Sequence, residues 1–153
     1  MKMNLTFFKT TPYLILSTLI TFCTLGISPS MAQVKDTQVN KLVEAIRKAA
    51  PLNKPKDGMY SDWQVLPGII PDWTKRCLGK SMTVDQFEAD KKAAQKTVTC
   101  IVQREFETQF KATKNEMQAV KNTACWWMTG KIDSCKNGTT GTSVEKVLTF
   151  YKK

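Results

Sequence analysis

SDWQVLPGIIPDWTKRC (Ser61–Cys77) repeats an Asp-Trp pair ten residues on, with two prolines between the copies. The wider segment 51–82 holds Pro51, Pro55, Pro67 and Pro71 with Gly58, Gly68 and Gly79, and it follows neither a helical nor an alternating period. A structureless stretch of this length is unusual inside a compact domain. It is either a solvated linker or an ordered strap, and composition decides between them. Met59, Tyr60, Trp63, Val65, Leu66, Ile69, Ile70 and Trp73 carry too much apolar surface for a linker. Residues 51–82 are therefore expected to form an irregular strap pinned down by side chains.

The flanking sequence supplies the helices for such a strap to cross. Val39, Leu42, Val43 and Ile46 recur at i, i+3, i+4 and i+7, which predicts a helix over 33–50 capped by Asp36 or Thr37 and stopped by Pro51. Thr83 with Gln86 forms a capping box, Asp90 offers a second cap, and Ala94, Val98, Ile101, Val102, Phe106 and Phe110 carry a stripe to about Lys111. Asn115 with Gln118 opens the next helix. Its face is Val120, Ala124, Trp127 and Met128, with Gly130 as the stop. A polar turn follows, then a helix expected to start at Thr142, with Glu145 completing the box and Val144, Val147, Leu148 and Tyr151 as its stripe. The fold class is mostly α: a small single-domain helical bundle with a long ordered Pro/Trp-rich strap.

Residues 1–32 have the form of a cleavable export signal. Lys2 and Lys9 charge its start, Tyr13–Ile27 is an apolar run too short to span a bilayer, and Ser30-Met31-Ala32 offers small residues at −3 and −1 of a cleavage point. The remainder, 33–153, is one domain's worth of chain. The signal takes two of the 23 basic residues and no acid, leaving 21 against 13 and a net charge of +8. Such a surface suits anionic partners: an envelope polymer, a membrane surface or an acidic protein. Nucleic acid is the less suited partner for an exported chain. Four cysteines follow the signal: Cys77, Cys100, Cys125 and Cys135. An even count in an oxidising compartment implies two disulfides. Three pairings are possible, and Cys77–Cys100 with Cys125–Cys135 is favoured because each joins neighbouring helical segments.

The chain has no histidine. That removes Ser-His-Asp and Cys-His nucleophile activation, H-E-x-x-H zinc hydrolysis and c-type haem ligation. No phosphate-cradling glycine loop is present, and neither a metal nor a cofactor is expected. Carboxylate chemistry of the glycosidase kind is what survives. Glu105 and Glu107, two apart on a helix, diverge by about 200°, and Glu88 and Asp90 do the same if their helix is continuous. Asp62 and Asp72 are the pair free to converge. Trp63 and Trp73 read either as anchors of the strap or as a stacking platform for sugars. Trp127 belongs to the core stripe. Lys91, Lys92 and Lys96 form a basic cluster, either a solvated face or an anion-docking one. No catalytic residue is assigned.

The stretch Asp62–Ala89, followed by TCIV (99–102), CWWMTG (125–130) and KVLTFY (146–151), resembles a family of small exported cyanobacterial proteins. They share a D-W-x-V-x-P-G-x-I-P-x-W segment, a first cysteine pair, a W-W-M-T-G helix end and a closing V-L-x-F-Y. The resemblance covers residues 61–151 and attaches no activity. It implies a periplasmic, extracellular or thylakoid-lumen address, with Cys125 and Cys135 less regular features than Cys77 and Cys100. The expected function is non-catalytic binding or accessory work at an anionic envelope component or partner protein. The alternative is a carboxylate-dependent glycan hydrolase or glycan binder using Trp63 and Trp73. A third possibility, a carrier for a small apolar ligand, requires a cavity.

Overall fold

The computed structural model describes residues 33–54 and 57–153, and the expected export signal lies outside them. Six helices follow in order: α1 Asp36–Ala49, α2 Ile70–Leu78, α3 Val84–Ala89, α4 Lys91–Thr113, α5 Glu116–Thr129 and α6 Gly138–Lys152. The described residues contain no strand, only an isolated antiparallel bridge between Tyr60 and Val65. α1, α4, α5 and α6 close a four-helix ring, in which α1 packs on α4 and α6 while α5 packs on the same two. α2 and α3 lie against α4.

Each ring helix turns its predicted stripe inward, with the stripe ends Phe110, Trp127 and Met128 only half-buried at the core's edge. Val39, Leu42, Val43 and Ile46 of α1 meet Val98, Val102 and Phe106 of α4, Val120 and Ala124 of α5 and Val144, Val147, Leu148 and Tyr151 of α6 in one buried core. Removing these apolar surfaces from water is the main source of stability. The caps at the helix starts are local. Thr83 Oγ1 accepts from the Gln86 amide at 3.3 Å while Gln86 Oε1 accepts from the Thr83 amide at 3.0 Å. Asp90 takes the Ala93 amide at 2.9 Å, and Asn115 takes that of Gln118 at 3.0 Å. α1 starts inside the expected 33–50 span, and its cap falls one residue before Asp36 rather than at Asp36 or Thr37. Its cap is Lys35, whose amide donates to Gln38 Oε1 at 2.8 Å, so Asp36 sits in the first turn.

Over its described residues, 51–54 and 57–82, the strap is held in place by contacts with the bundle, and its C-terminal third is helical. A 3₁₀ turn at Pro67–Ile69 leads into α2, where Pro71 sits in the first turn. A proline there gives up an amide that has no partner in any helix, so it starts a helix where it would break the middle of one. Gly79 then ends α2 in the left-handed region at φ 76°, donating to the Lys75 carbonyl at 3.0 Å. Pro71 and Gly79, expected as loop punctuation, are a helix start and a helix stop.

α6 starts at Gly138, four residues before the expected cap, and the Thr142 hydroxyl donates back to the Gly138 carbonyl at 3.2 Å. The helix extends through a poor helix-forming stretch because the Cys125–Cys135 disulfide already holds the preceding loop near α5. Gly141 helps: a Cβ there would stand 3.3 Å from the Cys135 carbonyl oxygen. The second disulfide, Cys77–Cys100, fixes α2 to α4. In the chain-entropy account, loops of 23 and 10 residues are each worth about 3 kcal/mol.

Three buried threonines make opposite contributions. The Thr74 hydroxyl donates to the Ile70 carbonyl at 2.8 Å and accepts the Met82 amide at 2.9 Å, holding the α2–α3 connection to α2. Thr97 and Thr123, on α4 and α5, bury hydroxyls with no partner among the described residues. Thr74→Val leaves the Met82 amide unpaired and should cost about 1–3 kcal/mol in chemical denaturation. Thr97→Val removes only an unmet donor and should raise stability by about 1 kcal/mol in the same assay.

Tyr151 gives the fold an alkaline limit. Burial, reinforced by its hydrogen bond to Glu116 Oε1 at 2.6 Å, pushes the phenol above its ordinary range. Its contribution is complete below the unfolded pKa near 10 and is lost as pH rises towards the higher folded value. Tyr151→Phe should therefore be about 1 kcal/mol less stable than the wild type at neutral pH. The two stability curves should converge above pH 10.

Candidate functional site

Between Tyr60 and Val65 the strap closes a tight clip. The two residues exchange backbone hydrogen bonds of 2.9 and 2.8 Å, and Ser61 and Gln64 adopt positive φ of 63° and 56°. Non-glycine residues in this region are strained, so outside contacts must hold them. Glu88 of α3 is one such contact: its carboxylate accepts from the Ser61 amide and from Asn53 Nδ2 at 2.6 Å. Gln64 Nε2 reaches Asn53 Oδ1 at 3.3 Å. Trp63 is the other. Its indole is 6% exposed, and Nε1 donates to the Val43 carbonyl of α1 at 3.0 Å.

Trp63 and Trp73 are therefore not a matched platform. Trp63 is a core anchor, while Trp73 is half-buried on α2 and stacks with indoles that the strap sequence does not contain. Its ring lies 6.3 Å from that of Trp126, nearly parallel at 17°, and 5.5 Å from that of Trp127, tilted at 45°. Trp127, expected in the core, sits at the core's edge and is half-buried. The apolar stripe of α5 ends before its last turn, where α2 takes over as the neighbour.

The clip, α2 and the ends of α1 and α5 enclose an apolar groove of about 400 Å³. Ile46, Ala49 and Pro51 form one wall, Met59, Val65, Leu66 and Ile69 the strap side, and Trp63, Trp73, Trp127 and Met128 the remainder. The polar side chains on it are Gln64 and Ser143, and no acid or base lines it. The groove lies within the range of about 300–1,000 Å³ common for small-ligand sites. Sequence reasoning had most of its residues in view as strap and stripe, but the void depends on how the clip stands off the α1 end.

The candidate acids do not assemble a catalytic pair. Glu105 accepts from Gln109 Nε2 at 2.7 Å and Glu107 from Gln103 Nε2 at 2.9 Å, each on its own side of α4. Asp90 caps α4, and Asp72 is exposed in the first turn of α2. Asp62 shares a pocket of about 230 Å³ with Glu88 and Lys91, but both Glu88 oxygens are committed to the strap. Lys91, Lys92 and Lys96 are all exposed at the start of α4. No group of three His, Cys, Asp or Glu among the described residues could hold a metal.

No protein-family model, no curated protein and no solved structure matches the chain. The strap's attachment supplies the test of this geometry. Glu88→Ala strands the Ser61 amide and should cost about 2–3 kcal/mol in stability, with Trp63 becoming accessible to iodide quenching. Glu88→Gln keeps one of the two bonds and should cost less than half as much.

Proposed function

We propose that this chain is a non-catalytic binding protein that holds a small apolar ligand in the groove between the strap, α1, α2 and α5. The observation that carries this reading is the lining. A 400 Å³ space bordered by three indoles and two methionines, with no acid or base on it, offers shape and apolar contact without reactive groups. Methionine side chains adapt to irregular ligands, and indoles present large rigid faces. The glycan-hydrolase alternative loses support: Glu88 holds the strap, Asp90 caps α4, glutamines hold Glu105 and Glu107, and neither Asp62 nor Asp72 lines the groove.

The remaining surface gives the carrier its surroundings. A net charge of +8 over residues 33–153, with Lys91, Lys92 and Lys96 exposed together, draws the protein towards anionic envelope material. Long-range attraction of this kind sets where the protein dwells, and the groove sets what it takes up. Two disulfides suit the oxidising compartments outside the cytosol, and among the described residues no helix is long and apolar enough to cross a membrane.

The test is titration of the purified protein with N-phenyl-1-naphthylamine, a neutral apolar fluorophore that brightens on leaving water. Saturable binding is expected, little changed between 50 and 500 mM salt, with energy transfer from the groove indoles. Met128→Glu places a charge in the groove and should weaken binding at least tenfold with an unchanged circular dichroism spectrum. No saturable binding, or equal binding by wild type and variant, would overturn the proposal.

A further inference from the structure

Arginine is rare in this chain: Arg47, Arg76 and Arg104 stand among 23 basic residues. Arg47 is occupied, its guanidinium making two bonds of 2.8 and 2.7 Å to Glu44, whose carboxyl it holds below the usual range. Arg76 and Arg104 are different. Neither guanidinium has an ion-pair or hydrogen-bond partner among the described residues. They come from different helices, α2 and α4, yet line one pocket of about 260 Å³ together with Trp73 and Trp126. Their meeting is built into the fold. Arg76 precedes Cys77 and Arg104 follows Cys100 by one turn, so the disulfide that fixes α2 to α4 also sets the two guanidiniums around one space.

This pocket adjoins the groove through one residue. Trp73 lines both, and its ring stacks on Trp126 on the arginine side and meets the tilted ring of Trp127 on the groove side. An apolar compartment and a cationic one thus share an indole wall.

We infer that the ligand is amphipathic: a single apolar chain lies in the groove and its anionic head is taken by Arg76 and Arg104 beyond Trp73. This rests on the groove being a ligand site. The guanidinium fork matches planar oxyanions in two parallel hydrogen bonds, a geometry the abundant lysines cannot supply. The head is a carboxylate rather than a doubly charged phosphate. Glu105 borders the same pocket with its carboxylate held by Gln109, so each further negative charge on the ligand meets repulsion there. The ligand class is a long-chain monocarboxylate.

The experiment compares laurate, methyl laurate and dodecyl phosphate below their aggregation limits, each displacing N-phenyl-1-naphthylamine from the purified protein. Laurate should bind at least tenfold more tightly than methyl laurate. Arg76→Gln and Arg104→Gln should each remove most of that preference while leaving methyl laurate affinity unchanged. Lys92→Gln makes the same charge change away from the pocket and should leave the preference intact. Equal affinity for the acid and its ester, with both lost in Met128→Glu, would overturn the head assignment and keep the groove. Failure of methyl laurate to displace the probe would overturn the groove reading and the inference that rests on it. Tighter binding of dodecyl phosphate than laurate would overturn the choice of carboxylate. Both arginines are exposed, so the variants should fold, with unchanged melting temperatures as the check.

Discussion

The indole of Trp63 enters the space beside α1, and its N–H ends on the Val43 carbonyl. This contact does two things that an aliphatic side chain could not do together. It buries a large apolar ring, and it satisfies the one polar atom that the ring brings with it. With the ring seated, the clip from Tyr60 to Val65 has a fixed position, and its strained residues, Ser61 and Gln64, are held by Glu88 and Asn53. Without it, a segment bearing Met59, Val65, Leu66 and Ile69 would have no reason to lie along the end of α1. The groove exists because the strap is anchored by its middle and stands away from the bundle on one side.

The ring of α1, α4, α5 and α6 makes that anchoring possible by presenting a finished surface. Its stripes meet in a single core, and α4 with α5 forms a hairpin joined by only Lys114 and Asn115. Gln109 and Asn122 bridge that hairpin at 3.1 Å, a polar contact at the edge of an otherwise apolar seam. The bundle is ordinary in its physics. What distinguishes the molecule is the layer outside it, where α2, the strap and the last turn of α5 collect four indoles at one end.

Periodicity made the bundle legible, and chemistry at the helix ends placed most boundaries. Thr83, Asp90, Asn115 and Gly130 act as their side chains or backbone freedom dictate, because a cap involves groups only three or four residues apart. The errors fall where distant contacts decide. Pro71 and Gly79 carry the same letters in a loop as in a short helix, and only packing of Ile70 and Thr74 against the rest of the fold selects the helix. The early start of α6 follows from a disulfide and a close backbone approach at Gly141, neither of which a local pattern encodes. At the site, the sequence singled out Trp63 and Trp73 but not their different roles. Trp126 and Trp127 complete the cluster from a position some 50 residues away. Arg76 and Arg104 gave no local signal at all: their significance lies in what does not pair with them.

The covalent cross-links are distributed unevenly around the groove. One side is reinforced, since Cys77–Cys100 ties α2 to α4 and Cys125–Cys135 ties the end of α5 to the segment before α6. The opposite side, the clip of the strap, is held by hydrogen bonds and one indole, and no cross-link reaches it. Thermal breathing of the two sides therefore differs in kind. The sulfur-bound side is a fixed jamb that parts only when a covalent bond breaks. The clip is held by reversible contacts alone, the hydrogen bonds from Glu88 and Asn53 and the seated indole of Trp63.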